Sequence, residues 1–416
     1  MTPPRPHAPT PILPYARQQV NEEDIAAVVA VLRSDWLTCG PAVETFEAAL
    51  AETCGAQHAI AVSNGTAALH LAMLAAGVGP GDRVLTSPNT FAASANCAAY
   101  VGAMPDFADI DPATRNLSPG LLAEQWRKDV RAVVAVDFAG YPCDLPRIAE
   151  VARANGAVVI EDAAHALGTQ FFAQGNWHTV GGHPWADLTT LSFHPVKTIT
   201  TGEGGAILTN NDALAARCRL LRSHGITKDP SQFLTSELCP LTSEKGPWYY
   251  EMQELGYNYR ITDIQCALGI SQLKRLPAWV ARRQEIVDRY NSAFTGLPYV
   301  RTPPRADRAV DGFGPTKPSW HLYALEIDFA AMGTTRTAIM QTLRAQGVAS
   351  QVHYIPVHLQ PYYRRRYSYA PGKCPAAEAY YARTLSLPLF ASLSDQEVDR
   401  VIDAIVGLTT GNQKRC

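Results

Sequence analysis

No window of this 416-residue sequence approaches the roughly 18 uninterrupted apolar residues that a membrane span requires. Charge of one sign is also lacking: 38 acidic side chains face 36 basic ones, for a net charge of −2. That balance gives no footprint for nucleic acid or for an anionic membrane surface, although a local anion site needs only a few donors. Cysteine is sparse and scattered, nine residues with no C-x-x-C pair, which argues against a disulfide framework or a thiolate metal knuckle and for reduced thiols in a cytoplasmic protein. The Pro-rich start, Met1 to Pro14, has no apolar core and is expected to be a loose arm, not a secretory signal. What is abundant is apolar material, 47% of residues, enough for a large α/β domain carrying a smaller one.

Between Gln57 and Asn210, short β-branched runs alternate with helical patterns, the signature of a parallel, doubly wound sheet. The expected strands are 58–63, 83–87, 132–137, 157–162, 188–193 and 205–209, with helices at 66–76, 93–101, 145–155 and 212–223. A capped helix, 21–33, and a second helix, 41–53, precede them. A Ser/Thr/Pro-rich loop from 227 to 250 follows, a candidate lid or interface. A long helix is then expected from Thr262 to about Ala293. The large domain is expected to run from 15 to 296 and a Pro/Gly-rich connection from 297 to 319. A small α+β domain, 320–416, would hold strands at 320–328 and 349–354 and helices at 335–346, 375–386 and 394–406.

Chemistry concentrates where the expected strands end, since α/β ligands sit at the carboxyl ends of parallel strands. One strand ends in Glu161-Asp162, with His165 just beyond; the acid could be a helix cap, a metal ligand or a partner for a cationic ring nitrogen. Another ends in Ser192-Phe-His-Pro-Val-Lys197. A lysine between a proline and a Thr/Gly-rich turn has little helix surface to lie along, and a desolvated amine is driven toward its nucleophilic form. Ser63-Asn-Gly65-Thr66 opens a helix, where free N–H groups can cradle a phosphate. Phe91 puts an aromatic ring at the next junction. Each feature alone has an ordinary reading; a phosphate cradle, an aromatic face, a carboxylate and a lysine at successive strand ends together meet the needs of pyridoxal phosphate.

The blocks SNGTAALHLA, TSPNTFAASAN, EDAAHALG, SFHPVKTITTGEGG, RSHG and GYNYRITDIQCALGISQL resemble, in order and over nearly the whole chain, the DegT/DnrJ/EryC1/StrS family of nucleotide-sugar aminotransferases. The resemblance implies an aspartate-aminotransferase-like fold (PLP fold type I), with a mostly parallel seven-stranded sheet. It makes Lys197 the lysine that binds the cofactor covalently and carries the proton, and Asp162 the partner of the pyridine nitrogen. His165 would lie beside the ring and Phe91 on its face. Gly65, Thr66 and Ser192 would hold the phosphate, with Asn258 reaching it from the second subunit of a homodimer. Tyr15, Asp35, Trp36, Leu37, Thr38, Gln351, Val352, His353 and Tyr354 would contact the sugar nucleotide. Cys39 departs from the family's usual Gln, which bears on substrate fit. The SFHPVKTITT, DWLT, AGYPCDL and QVHY segments are similar to the pseudaminic acid branch, which implies amino transfer from L-glutamate to a UDP-linked 4-keto-6-deoxy-N-acetylhexosamine. Perosamine- and bacillosamine-type 4-aminotransferases are the alternatives.

Other readings have less to carry them. His353 and His358 lack a metal-binding spacing, and no metal is expected. Arg364-Arg365-Arg366 reads as solvated surface, or as steering for an anionic substrate. Trp248, Tyr249 and Tyr250 could line a sugar site or anchor an interface. A cysteine desulfurase would need a reactive thiol, for which Cys239 is the candidate, without a base nearby to lower its pKa. A ligand-binding regulator of the same fold would be expected to have lost Lys197 or Asp162.

Overall fold

Seven strands build the central sheet of the computed structural model, which describes residues 12–234, 246–307, 309 and 313–411. They are β1 (His58–Val62), β2 (Arg83–Thr86), β3 (Met104–Phe107), β4 (Val130–Val136), β5 (Val158–Asp162), β6 (Leu188–Ser192) and β7 (Gly205–Thr209). Across the sheet the order is β1-β7-β6-β5-β4-β2-β3. β7 runs antiparallel to both neighbours, and every other pairing is parallel. β4, Val-Arg-Ala-Val-Val-Ala-Val, is almost continuously apolar because helices cover both faces. Its side chains alternate accordingly: Val133 and Ala135 join one core, Ala132, Val134 and Val136 the other. The α/β class and the mostly parallel seven-stranded sheet are as the sequence implied.

Helix α1 (Glu22–Leu32) starts at a capping box in which the Asn21 and Asp24 side chains each take the other's backbone N–H. α2 (Pro41–Cys54) follows, then α3 (Gly65–Ala75) and α4 (Ala93–Tyr100), which pack on the core that contains Val134. The single helix expected from Thr262 is instead two, α5 (Asp263–Leu273) and α6 (Leu276–Phe294). Pro277 has no N–H to donate back into a preceding turn, so the first helix ends and a new one starts with the proline in its first turn. β3 was not anticipated: Pro105 and Asp106 are poor strand formers, tolerated because β3 is the edge of the sheet.

The smaller sheet has the order β8 (Val300–Arg301), β9 (Tyr323–Ile327), β10 (Thr384–Leu387). Helices α7 (Arg336–Ala345), α8 (Pro375–Arg383) and α9 (Asp395–Gly411) lie in the same part of the chain. The expected strand 349–354 is corrected to an irregular segment tied by one bridge, Gln351 to Ser386. The strand that pairs with β9 is β10, whose residues Thr384 to Ser386 are expected from the sequence to end a helix. Leu13 is buried and bridges to Val348, so the described end of the N-terminal arm is anchored. No helix among the described residues is long and apolar enough to cross a membrane.

Candidate active site

The carboxyl ends of β5 and β6 open, with the N-terminus of α3, into one cavity of about 980 Å³. Asp162 and Glu161 are consecutive on β5 and therefore point to opposite faces; Asp162 is the one that lines the cavity. Only 5% of it is exposed. Ser94 Oγ donates to its Oδ2 at 2.6 Å and the Ala164 N–H to its Oδ1 at 3.1 Å. Burial pushes the carboxyl pKa upward, while these two hydrogen bonds and the charge of Lys197 pull against it.

Lys197 lines the same cavity from the turn after β6. That turn is closed locally: the Phe193 carbonyl accepts from the Thr200 hydroxyl at 2.9 Å and the Thr201 N–H at 3.0 Å, and the Lys197 N–H donates to His194 O at 2.8 Å. Burial lowers the amine to about 8, opposed by the nearby Asp162. An amine with that pKa is roughly a tenth neutral at pH 7, against well under a thousandth for a free lysine.

The phosphate-sized feature is the start of α3. The Asn64 side chain caps the Ala67 N–H at 2.8 Å and the Asn64 carbonyl takes the Ala68 N–H at 3.1 Å. The N–H groups of Gly65 and Thr66 find no acceptor among the described residues, and both residues line the cavity beside Ser192. A Cβ on Gly65 would stand 3.0 Å from the Ser192 Cβ, so a side chain here would have to displace Ser192 by a few tenths of an ångström. Unpaired N–H groups at a helix N-terminus favour an anion.

Phe91, 62% exposed, stands at the rim with its ring 6.5 Å from that of Tyr354. His165 is buried, and its Nδ1 accepts the Ala139 N–H at 3.3 Å, so the hydrogen of the neutral ring is on Nε2, 3.3 Å from the Tyr354 hydroxyl. Burial, with Lys197 and His353 nearby, holds its pKa well below the usual imidazole value. Tyr15, His353 and Tyr354 close the cavity. His353 bonds Ser386 Oγ at 2.8 Å, and burial, helped by Lys197, lowers it to about 4.

Several expected site residues do not reach this chain's own cavity. Asp35, Trp36, Leu37 and Thr38 are exposed on the surface, held there because Leu37 O accepts the Asp263 N–H at 3.1 Å and Thr38 bridges to Thr262. Gln351 is exposed and Val352 does not line the cavity. Asn258 is also exposed. It sits between Tyr257 and Tyr259, which do line the cavity, and successive residues of an extended segment face opposite ways. Sequence reasoning missed those tyrosines, stacked at 5.1 Å, together with His70, whose Nδ1 is 3.1 Å from the Tyr259 hydroxyl. The available signal was the i, i+2 spacing about Asn258 and the i, i+4 spacing of Thr66 and His70 on α3. Ser94 and His321 were missed as well.

Among the described residues no cluster of His, Cys, Asp or Glu could hold a metal ion; His358 is paired with Glu378 at 2.9 Å. The segment carrying Cys239 lies outside the described residues.

A model of the DegT/DnrJ/EryC1/StrS aminotransferase family matches residues 18–406. The spore coat polysaccharide biosynthesis protein SpsC of Bacillus subtilis strain 168 is 42% identical over 400 residues, 96% of this chain and 97% of that one. Among solved structures, Helicobacter pylori PseC, an aminotransferase involved in the biosynthesis of pseudoaminic acid, superposes with a TM-score of 0.84 at 29% identity, over 96% of this chain and 100% of that chain. The PLP form of Spr1654 from Streptococcus pneumoniae gives 0.83 at 29% identity, over 97% and 100%.

Proposed function

The chain belongs to the DegT/DnrJ/EryC1/StrS aminotransferase family and is a PLP-dependent transaminase of fold type I; from that premise we propose that it aminates C4 of a UDP-linked 4-keto-6-deoxy-N-acetylhexosamine, with L-glutamate as amino donor. The observation that carries the reading is the meeting of Lys197, Asp162 and the Gly65–Thr66 cradle around one cavity. The cavity suits pyridoxal phosphate chemically: two unpaired N–H groups and a hydroxyl for the phosphate, a buried carboxylate for a ring nitrogen, and a partly neutral amine for the aldehyde.

When bound, the cofactor supplies an electron sink for the pair left as a substrate C–H bond breaks. The protein's part is positioning and proton transfer. Gly65, Thr66 and Ser192 would hold the phosphate. The Asp162 carboxylate would accept from the protonated pyridine nitrogen, and Phe91 and His165 would lie beside the ring. Lys197 Nζ takes a proton from Cα of the donor in the first half-reaction and delivers one to C4 of the sugar in the second. The net result is L-glutamate and keto sugar to 2-oxoglutarate and amino sugar.

The pseudaminic acid branch, with UDP-4-amino-4,6-dideoxy-N-acetyl-β-L-altrosamine as product, is supported by the likeness to PseC. The 42% identity to SpsC favours a second reading, in which a different 4-keto sugar nucleotide supplies a surface polysaccharide. A cytoplasmic homodimer completes the proposal. Trp36, Leu37, Tyr100, Met252 and Leu255 are large apolar side chains left exposed on one chain, the kind of surface a second copy covers, and Asn258 stands outside its own chain's cavity.

The test adds L-glutamate and UDP-2-acetamido-2,6-dideoxy-β-L-arabino-hex-4-ulose to the purified protein while the visible cofactor band and the sugar mass are followed. Bleaching by glutamate, reversed by the keto sugar with gain of an amino group, is expected. Bleaching with no reversal would discard this substrate in favour of the polysaccharide reading.

A further inference from the structure

Asp162 does not stand alone on the cavity wall. Ser94, in the first turn of α4, is 1% exposed and donates its hydroxyl hydrogen to Asp162 Oδ2 at 2.6 Å. Thr90, 3% exposed, lies between β2 and α4 with its Oγ1 2.7 Å from Ser94 Oγ. A hydroxyl has one hydrogen, and that of Ser94 is directed at the carboxylate, the longer 3.3 Å contact to Phe91 O being the weaker alternative. The direction of the remaining bond follows: Thr90 donates to Ser94, and Ser94 donates to Asp162. Such chains polarise each member and strengthen the terminal bond to an anion.

The relay has work to do because the other surroundings of Asp162 conflict. Lys197, from the turn after β6, favours the carboxylate; Glu161, beside it on β5, opposes it. On α4 the buried Cys97 thiol, and in the small domain the Tyr354 phenol, are pushed up mainly by burial, with the Asp162 carboxylate adding to it, and stay neutral. Burial favours the neutral acid, which would present a donor where a ring N–H needs an acceptor.

We propose that Thr90 and Ser94 form a directed hydroxyl relay that keeps Asp162 ionised and oriented, making Ser94 a positioning residue that sets the protonation of the cofactor's ring nitrogen. The proposal rests on the reading that Asp162 faces that nitrogen. Neither hydroxyl takes or gives a proton in turnover; each acts only through Asp162.

The experiment loads the full-length protein with pyridoxal phosphate carrying 15N in the ring and records the 15N shift of the holoenzyme. In the wild type the signal is expected at the protonated position. Ser94→Ala is expected to move it toward the unprotonated position and to lower kcat about ten- to a hundredfold, the effect of one hydrogen bond to a charged group, with little change in KM for the donor. Ser94→Thr restores both, and Thr90→Val, which keeps the shape and loses the donor, gives an intermediate shift. A wild-type 15N signal in Ser94→Ala, or in Thr90→Val should the first variant fail to fold, overturns the relay. Asp162→Asn separates the two ideas: if it moves the signal while Ser94→Ala does not, the relay is wrong and the site reading stands. If it leaves the signal in place, the site reading fails and takes the relay with it.

Discussion

Gly205 packs directly on the peptide that joins Asn64 to Gly65: a Cβ at Gly205 would stand 2.6 Å from the Asn64 carbonyl carbon and 2.7 Å from the Gly65 nitrogen. β7 pairs Gly205 with Val62 on one side and Ser192 on the other. The antiparallel strand therefore brings the cradle and the Ser192 hydroxyl together, and only a residue without a side chain fits between them. Gly205→Ala is expected to push the start of α3 away, raising the cofactor dissociation constant at least tenfold and costing about 1–3 kcal/mol of stability. Titration of the apoprotein with cofactor, alongside a denaturant melt, measures both. Unchanged affinity would show that the cradle does not hold the phosphate.

Lys197→Ala should abolish turnover while leaving the fold intact. General acid–base transfer by one positioned group contributes about 10²–10⁴-fold, and the proposed covalent role of the amine would be lost with it. A circular dichroism melt and a single-turnover assay with L-glutamate decide it; a variant that still transaminates removes the lysine from the mechanism.

Stability should fall in mild acid through His353. The folded-state pKa is lowered to about 4, below the ordinary imidazole value near 6.5 that the unfolded chain keeps. The unfolded state gains a proton as pH falls below about 6.5, and the folded state does not until about 4. The contribution is thus fully present above that window and is lost within it, by about 2 kcal/mol between roughly pH 7.5 and roughly pH 5. Denaturant midpoints at both pH values should show His353→Asn losing less than the wild type. Equal losses would contradict the assignment.

Asn258 stands outside its own cavity, which makes a complementation experiment informative. In the proposed dimer, pairs mixed from Asn258→Ala and Lys197→Ala chains should regain a fraction of wild-type turnover, because one of the two proposed shared sites then draws both intact residues, one from each chain. Absence of any recovered activity in purified mixed dimers would confine Asn258 to a structural role.

Local chemistry made much of this legible. The cap at Asn64, the box at Asn21 and Asp24, the apolar run of β4 and the tight turn holding Lys197 all depend on neighbours within a few residues. What escaped was long-range. β10 lies where a helix was expected, because Thr-Leu-Ser-Leu has no strong preference until β9 offers it a ladder. The Ser94–Asp162 bond spans 68 positions and the His70–Tyr259 bond 189, separations at which no periodicity signals a contact. Asp35 to Thr38 read as site residues, and their exposure on this chain follows from the grip of Asp263 on the adjacent backbone, through Gly40 N at 2.8 Å and Ala42 N at 3.0 Å.

The sequence by itself determined that a lysine, a carboxylate and a phosphate-sized cradle would lie at strand ends, since parallel strands joined by crossover helices must place their carboxyl ends on one edge. Tertiary structure alone decided which groups meet there. Asp162 and Glu161 are divided by the pleat, His353 and Tyr354 come in from a segment held by a single bridge, and Asn258 is turned outward between two inward tyrosines. In each case the outcome depends on which face of a strand or segment is covered, and that is settled only when distant parts of the chain pack together.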